Sequence, residues 1–379
     1  MAATRFVASV AGALLIAVLA WAGGAAATPF RPSDDAQVLE QLPFRALSAA
    51  TRVPVPRDPG SAAVIARAYI ERSRRDGDPR FLGYAEGVLQ PWWSQSAPPP
   101  PVLLLRATLL QSRHRFPEAL RDLDALLAIQ PGDAQALLTR ATVLRVLGRY
   151  AEAGESCARL RGSVDEFVAA LCAESVRGLN GDLRAAARAL DAIAAGSAGQ
   201  DPAVRTWFRA ERAEMAERLG DDAGALALYR VALVEDPEDP LLRAAAADLL
   251  LRSSRPQEAL DVAGQDPLAD VLRLRTALAL RALSRPRADL EAALSDSYAA
   301  AHRRNEDVHL REEARFSLEI AKDAPRALAL ARQNWSVQRE PADARLLKLA
   351  ARAAGQNDAA DPVREWLRES RLEDARLSP

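Results

Sequence analysis

Three histidines and two cysteines are the residues of this 379-residue chain best suited to metal binding, proton transfer or nucleophilic attack. His302 and His309 are seven apart, which on a continuous helix places them on roughly one face, with Glu306 about a turn from each. Arg303 and Arg304 between them would repel a cation, so a solvated loop is expected there and no metal site is assigned. His114 reads as an exposed turn residue. Neither Cys157 nor Cys172 has a Lys or His neighbour in sequence that would stabilise a thiolate. Two cysteines are also too few for a disulfide-rich scaffold or a multi-cysteine metal site. The chain lacks a glycine-rich phosphate loop, H-E-x-x-H, G-x-S-x-G and C-x-x-C. The expectation is therefore no catalytic residue, no cofactor and no enzymatic activity.

Whatever function exists must lie in the elements that fill the chain. Lys+Arg 50 against Asp+Glu 51 leaves a net charge of -1, which argues against a nucleic-acid partner. All but Lys322 and Lys348 of these cations are Arg, as in a GC-rich coding sequence. Aromatic residues make up 5% while Ala, Leu, Arg and Glu abound, a composition that favours helix. Residues 1–27 read as a secretory signal peptide: Arg5, an unbroken apolar and small-residue stretch over 6–21, then Ala25-Ala26-Ala27 as an A-x-A site. An exported, periplasmic protein is expected, the alternative being an inner-membrane anchor if the segment is retained. Residues 28–58 carry Pro29, Pro32, Pro43, Pro54 and Pro56, too many for a long helix, and read as a tether or N-terminal cover.

From residue 59 onward the pattern is periodic. Ala107, Ala119 and Pro131 are spaced by twelve and twelve, Ala213, Ala225 and Pro237 repeat that spacing, and Ala141 with Ala153 match its first half. A turn lies between each pair, for example Leu147-Gly148-Arg149-Tyr150 and Leu219-Gly220-Asp221. Small residues let two helices cross closely, Gly ends the first helix, Pro ends the second, and Asp133, Asp201 and Asp239 are placed to cap. This resembles the tetratricopeptide repeat (TPR), most closely near 100–133, 134–167 and 206–239. Taking Ala66, Ala107, Ala141, Ala173, Ala213, Ala247, Ala277, Ala314 and Ala350 as markers gives nine hairpins over 59–379. The resemblance implies an all-α, right-handed superhelical solenoid of about nine TPR-like helix–turn–helix hairpins. The run Pro98-Pro99-Pro100-Pro101 reads as a polyproline stop, and 196–202 as a flexible loop that could divide two sub-arrays.

The same resemblance assigns roles. Cys157 and Cys172 would fall on helices of successive hairpins that pack together, either as a disulfide in an oxidising compartment or as two buried thiols. First helices would line a concave groove, whose polar residues are then Thr108, Gln111, Thr142, Arg145, Glu174, Arg177, Glu214, Arg218, Asp248, Arg252, Arg281, Arg311 and Arg315, with Trp207 as a candidate anchor. Any one of these is equally an ordinary solvated helix residue. Trp92, Trp93, Trp335 and Trp366 read as inter-helix core. The segment 309–350 is unusually polar around Asn334, Gln338, Glu340 and Asp343; Trp335 would pack on the next hairpin with Asp343 as its cap, or the segment would add a partner site. The expected function is a scaffold or adaptor in the bacterial envelope, binding a protein or peptide on the concave face. The alternatives are a membrane-anchored subunit of an export or maturation machine, or an enzyme with a site between repeats.

Overall fold

A computed structural model describes residues 58–377 except 77, 266, 268 and 304–308, together with Pro56. The chain divides into Met1–Pro54 and Val55–Pro379, and the described residues all belong to the second unit. The signal peptide and almost all of the Pro-rich segment lie outside the described residues.

Eighteen α-helices follow one another among the described residues as nine helix–turn–helix pairs. They are α1 (Pro59–Asp76) with α2 (Arg80–Trp93), α3 (Pro100–Ser112) with α4 (Phe116–Ile129), and α5 (Ala134–Val146) with α6 (Tyr150–Ala158). Next come α7 (Glu166–Arg177) with α8 (Leu183–Ala192), α9 (Pro202–Leu219) with α10 (Asp222–Glu235), and α11 (Pro240–Arg252) with α12 (Pro256–Ala263). The last three pairs are α13 (Asp270–Ala282) with α14 (Ala288–Arg303), α15 (Leu310–Arg315) with α16 (Ala324–Val337), and α17 (Pro341–Ala353) with α18 (Asp361–Ser370). No strand occurs among the described residues, so the unit is an all-α repeat array of TPR-like hairpins.

The crossings are alanine on alanine. Ala66, Ala107, Ala213, Ala247, Ala277, Ala314 and Ala350 on the first helices are fully buried, as are Ala119, Ala153, Ala225, Ala259 and Ala327 on the second. Ala173 departs from this series: it is only half-buried, and its neighbours Ala169 and Cys172 take the buried face of α7. Ala314 and Ala327 are thirteen apart instead of twelve because α15 continues through a π turn, Phe316–Ile320, which accommodates one extra residue. Asp133, Asp201 and Asp239 each accept a hydrogen bond from a backbone N–H of the helix they precede.

Several sequence expectations change. The proline run starts a helix: Pro99 is the N-cap of α3 and Pro100 its first residue, where a missing N–H costs nothing. The loop at 196–202 holds a short 3-10 turn, Ala194–Gly199, and one apolar cluster joins Phe167 and Leu171 of α7 to Phe208 and Met215 of α9 across it. Stacking is therefore continuous there. His114 does sit in a turn, but it is half-buried, with its ring stacked on Phe116. Between the third and fourth hairpins, Cys157 of α6 and Cys172 of α7 form a disulfide with Cα atoms 5.5 Å apart. By the chain-entropy argument, a loop of 15 residues closed in this way stabilises the fold by about 3 kcal/mol.

The array also returns on itself. The Arg339 N–H, just before α17, donates to the Val146 carbonyl at the end of α5, 2.7 Å away. The Trp366 ring of α18 lies 6.3 Å from Tyr150 and stands edge-on to Trp335 at 5.3 Å. Residues of the second to fourth hairpins and of the last two accordingly share a single hydrophobic core. Gly148, at φ +73°, makes this approach possible, since a Cβ there would sit 2.9 Å from the Trp366 indole nitrogen.

Candidate partner-binding site

Several polar side chains of the first helices bond to one another across hairpins. Arg145 of α5 donates to both carboxylate oxygens of Glu211 on α9, at 2.6 and 3.1 Å, and Trp207 donates its indole N–H to the same carboxylate at 3.0 Å. Burial alone would lower the pKa of Arg145 and raise that of Glu211, but their mutual attraction outweighs it, leaving each more firmly charged than usual. Glu214, one turn on, is held above the ordinary carboxylate range by burial, with the Arg218 guanidinium 3.9 Å away opposing it incompletely. Arg218 donates to the Gly178 carbonyl at 2.8 Å.

A second cluster joins the sixth, seventh and eighth hairpins. Asp248 accepts from Arg275 at 2.8 Å and from Arg315 at 2.9 Å, while Arg275 also pairs with Glu312 and Arg315 with Glu319. Burial disfavours the charge on Asp248, yet the two guanidiniums hold its carboxyl well below the usual range. Arg311 forks onto Asp343 at 2.6 and 2.9 Å and also pairs with Glu340. Asn334 donates to the same Asp343 at 2.7 Å, as does the Glu340 N–H at 2.9 Å, so this fully buried carboxylate is the hub of the polar segment 309–350. Its backbone contact is a capping one for α17.

The remaining expected residues are locally engaged. Thr108 and Thr142 donate to the carbonyls of Leu104 and Leu138 in their own helices, and Glu174 pairs with Arg177 one turn on at 3.1 Å. Arg281 donates to the Ile320 carbonyl at 3.1 Å, in the π turn, and Gln111 is half-buried. His302 meets Glu313 at 2.7 Å, His309 lies against the Tyr298 ring, and Glu306 is outside the described residues. Thus the structure gathers Arg145, Trp207, Glu214 and Arg218 around Glu211, and sets Arg315 on Asp248.

Residues not anticipated complete the site. Glu217 accepts from Tyr229 at 2.6 Å, from Arg376 at 2.7 Å and from Arg252. Arg376 belongs to a segment, 371–377, that leaves α18 and reaches α17, the start of α8 and the end of α9. Its Ala375 N–H donates to the Arg218 carbonyl at 2.8 Å, and its Glu373 carboxylate accepts from the Leu183 N–H, at the start of α8, at 3.0 Å. Asp374 pairs with Arg345, and the Leu377 carbonyl accepts from Lys348 at 2.8 Å. Leu372 and Leu377 are buried. Gly181 (φ +87°) is the point of closest approach, where a Cβ would lie 2.8 Å from that of Arg371. Glu211 was readable from its spacing, four residues after Trp207 on one helix face; the segment 371–377 carries no repeat signal at all.

No family model matches the chain, and no curated protein does. Among solved structures, a tetratricopeptide repeat protein from Parabacteroides merdae is 15% identical, with a TM-score of 0.38 over 75% of this chain and 98% of that one. A human IFIT1 dimer with PPP-AAAA is 13% identical, with a TM-score of 0.44 over 79% of this chain and 80% of that one. The P58(IPK) TPR domain is 16% identical, with a TM-score of 0.24 over 84% of this chain and 95% of that one. The assignment of a repeat architecture rests on the nine hairpins themselves.

Proposed function

We propose that the chain is a non-enzymatic protein–protein interaction scaffold or adaptor of the bacterial envelope, and that it takes a protein or peptide partner on the side where its first helices gather their charges. The observation that carries this reading is the segment 371–377, which ends in a turn and which the array already holds through main-chain bonds, carboxylate contacts and two buried leucines. A surface that grips one short segment has the hydrogen-bonding groups to grip another. The leader-like residues 1–27 and the Cys157–Cys172 disulfide both suit an oxidising, exported location, with a periplasmic mature chain starting near Thr28.

Affinity capture from periplasmic extract tests this. Full-length chain recovered there should start near Thr28 and retain a defined protein. That protein should be lost when Arg145, Glu214 and Arg252 are charge-reversed together with the circular dichroism of helix preserved. Because Arg145 holds Glu211, the milder Glu214→Gln serves as a variant that leaves that pair intact and should weaken retention. Undiminished retention by both variants would place the partner elsewhere.

A further inference from the structure

The contacts of residues 371–377 have the character of a ligand and its site. The segment contributes two apolar side chains, Leu372 and Leu377, which flank the carboxylates of Glu373 and Asp374. Each of those carboxylates has a dedicated donor on the array: the Leu183 N–H at 3.0 Å for Glu373, and Arg345 for Asp374. Asp182, the residue preceding α8, makes no side-chain cap of its own, so the helix start is left for Glu373 to satisfy. The backbone is gripped twice, by the Arg218 carbonyl and by Lys348.

Two further observations say that the segment does not saturate this place. A cleft of about 550 Å³ remains beside it, walled by Leu183, Arg184, Leu219 and Leu367 together with the segment itself. Arg218 also lines that cleft with its side chain 2% exposed, and its Nε–H is buried without a hydrogen-bond acceptor. A buried guanidinium N–H that has only the Glu214 carboxylate 3.9 Å away, too far to hydrogen-bond, is a place for a closer acceptor that the chain's own segment does not bring.

We propose that this cleft is a docking site for a short acidic peptide of a partner protein, of the pattern leucine, two carboxylates, two spacer residues and a second leucine, folded as residues 374–377 are into a turn at its end. Residues 372–377 are its internal competitor. A partner segment with an additional carboxylate or a larger apolar side chain would fill the remaining volume and reach Arg218. The proposal rests on the reading of the array as an interaction scaffold, and it names the partner's chemistry and the device that keeps the site closed. Binding must displace the segment, so the apparent affinity of the intact chain is its intrinsic affinity reduced by the fraction of molecules with the segment released.

The test uses a fluorescent peptide spanning residues 370–379 and full-length chains. In one chain, Asp374→Lys with Leu377→Asp removes the contacts that hold the segment in place. Fluorescence anisotropy should show saturable binding of the peptide to this released chain, about tenfold or more tighter than to the wild type. A peptide with lysine in place of both carboxylates should not bind. The wild type supplies an independent readout: excess unlabelled peptide should accelerate tryptic cleavage after Arg376 several-fold. That covers the case in which the released chain fails to fold. Absence of binding to a folded released chain, equal binding to both chains, or unchanged cleavage of the wild type would each overturn the proposal. If it falls while periplasmic capture still yields a partner lost in the inner-face variants, the scaffold reading survives without this site.

Discussion

Asp343→Ala is expected to lower the free energy of unfolding by about 3 kcal/mol, because it breaks a buried pair and leaves the mostly buried Arg311 guanidinium with Glu340 alone. Asp343 has no exposed side-chain surface, and it accepts from Arg311, from Asn334 and from the Glu340 N–H. Truncation removes those acceptor oxygens at once, taking the partner of Asn334 on α16 and of the Glu340 N–H at the start of α17, and one side of the Arg311 fork on α15. Glu340 remains for Arg311, but it reaches only one arm of the fork. Burial pushes the Asp343 carboxyl up, with Arg311 pulling the other way, so the neutral isostere Asp343→Asn should cost visibly less than alanine. Urea denaturation followed by circular dichroism gives both values. Equal losses for Ala and Asn would mean that the charge on Asp343, rather than its hydrogen bonds, holds the three elements.

Gly148→Ala is expected to exceed the ordinary penalty for alanine at a left-handed position. Any such position costs about 1–2 kcal/mol for a side chain. Gly355 provides the reference: at φ +68° it lies in the same backbone region, but nothing is within 4 Å of where its Cβ would be. At Gly148 the added methyl would meet the Trp366 indole nitrogen at 2.9 Å and Arg339 at 3.5 Å. Trp366 is packed against Tyr150 and Trp335 and cannot yield cheaply. Gly148→Ala should therefore destabilise by about 1–3 kcal/mol more than Gly355→Ala, the usual cost of overpacking a well-filled core. Because the backbone penalty is common to both, the difference reports the contact between the third and last hairpins alone. Matching values in parallel urea titrations would show that the contact contributes nothing.

These two sites mark the boundary of what the sequence discloses. The hairpins are legible because each is built from local spacing: two alanines twelve apart, a turn between them, and a proline or aspartate at the ends. Even the irregular pair Ala314 and Ala327 is local, its extra residue taken up by the π turn. Ala173 misleads for a related reason: about 100° around the helix separates it from Cys172, and only packing reveals which of the two faces inward. Closure is different in kind. Val146 and Arg339 sit on the third and ninth hairpins, and neither residue type announces a main-chain bond. Arg145, Glu214 and Arg252 on a helix face look identical in sequence whether water or another hairpin covers them. Residues 371–377 form a short polar stretch after the last helix whose grip comes from Leu183, Arg218, Arg345 and Lys348, scattered over the fourth, fifth and ninth hairpins.

Amide hydrogen exchange at Arg339 and Ala375 tests the closed array most directly. Neither N–H belongs to a helical ladder; Arg339 donates to Val146 and Ala375 to Arg218, each contact existing only when distant hairpins meet. In the native chain both amides should exchange orders of magnitude more slowly than in a free peptide, and Gly148→Ala should release Arg339 first. Exchange of both at peptide-like rates in the wild type, with the helices still protected, would show an open array and contradict closure.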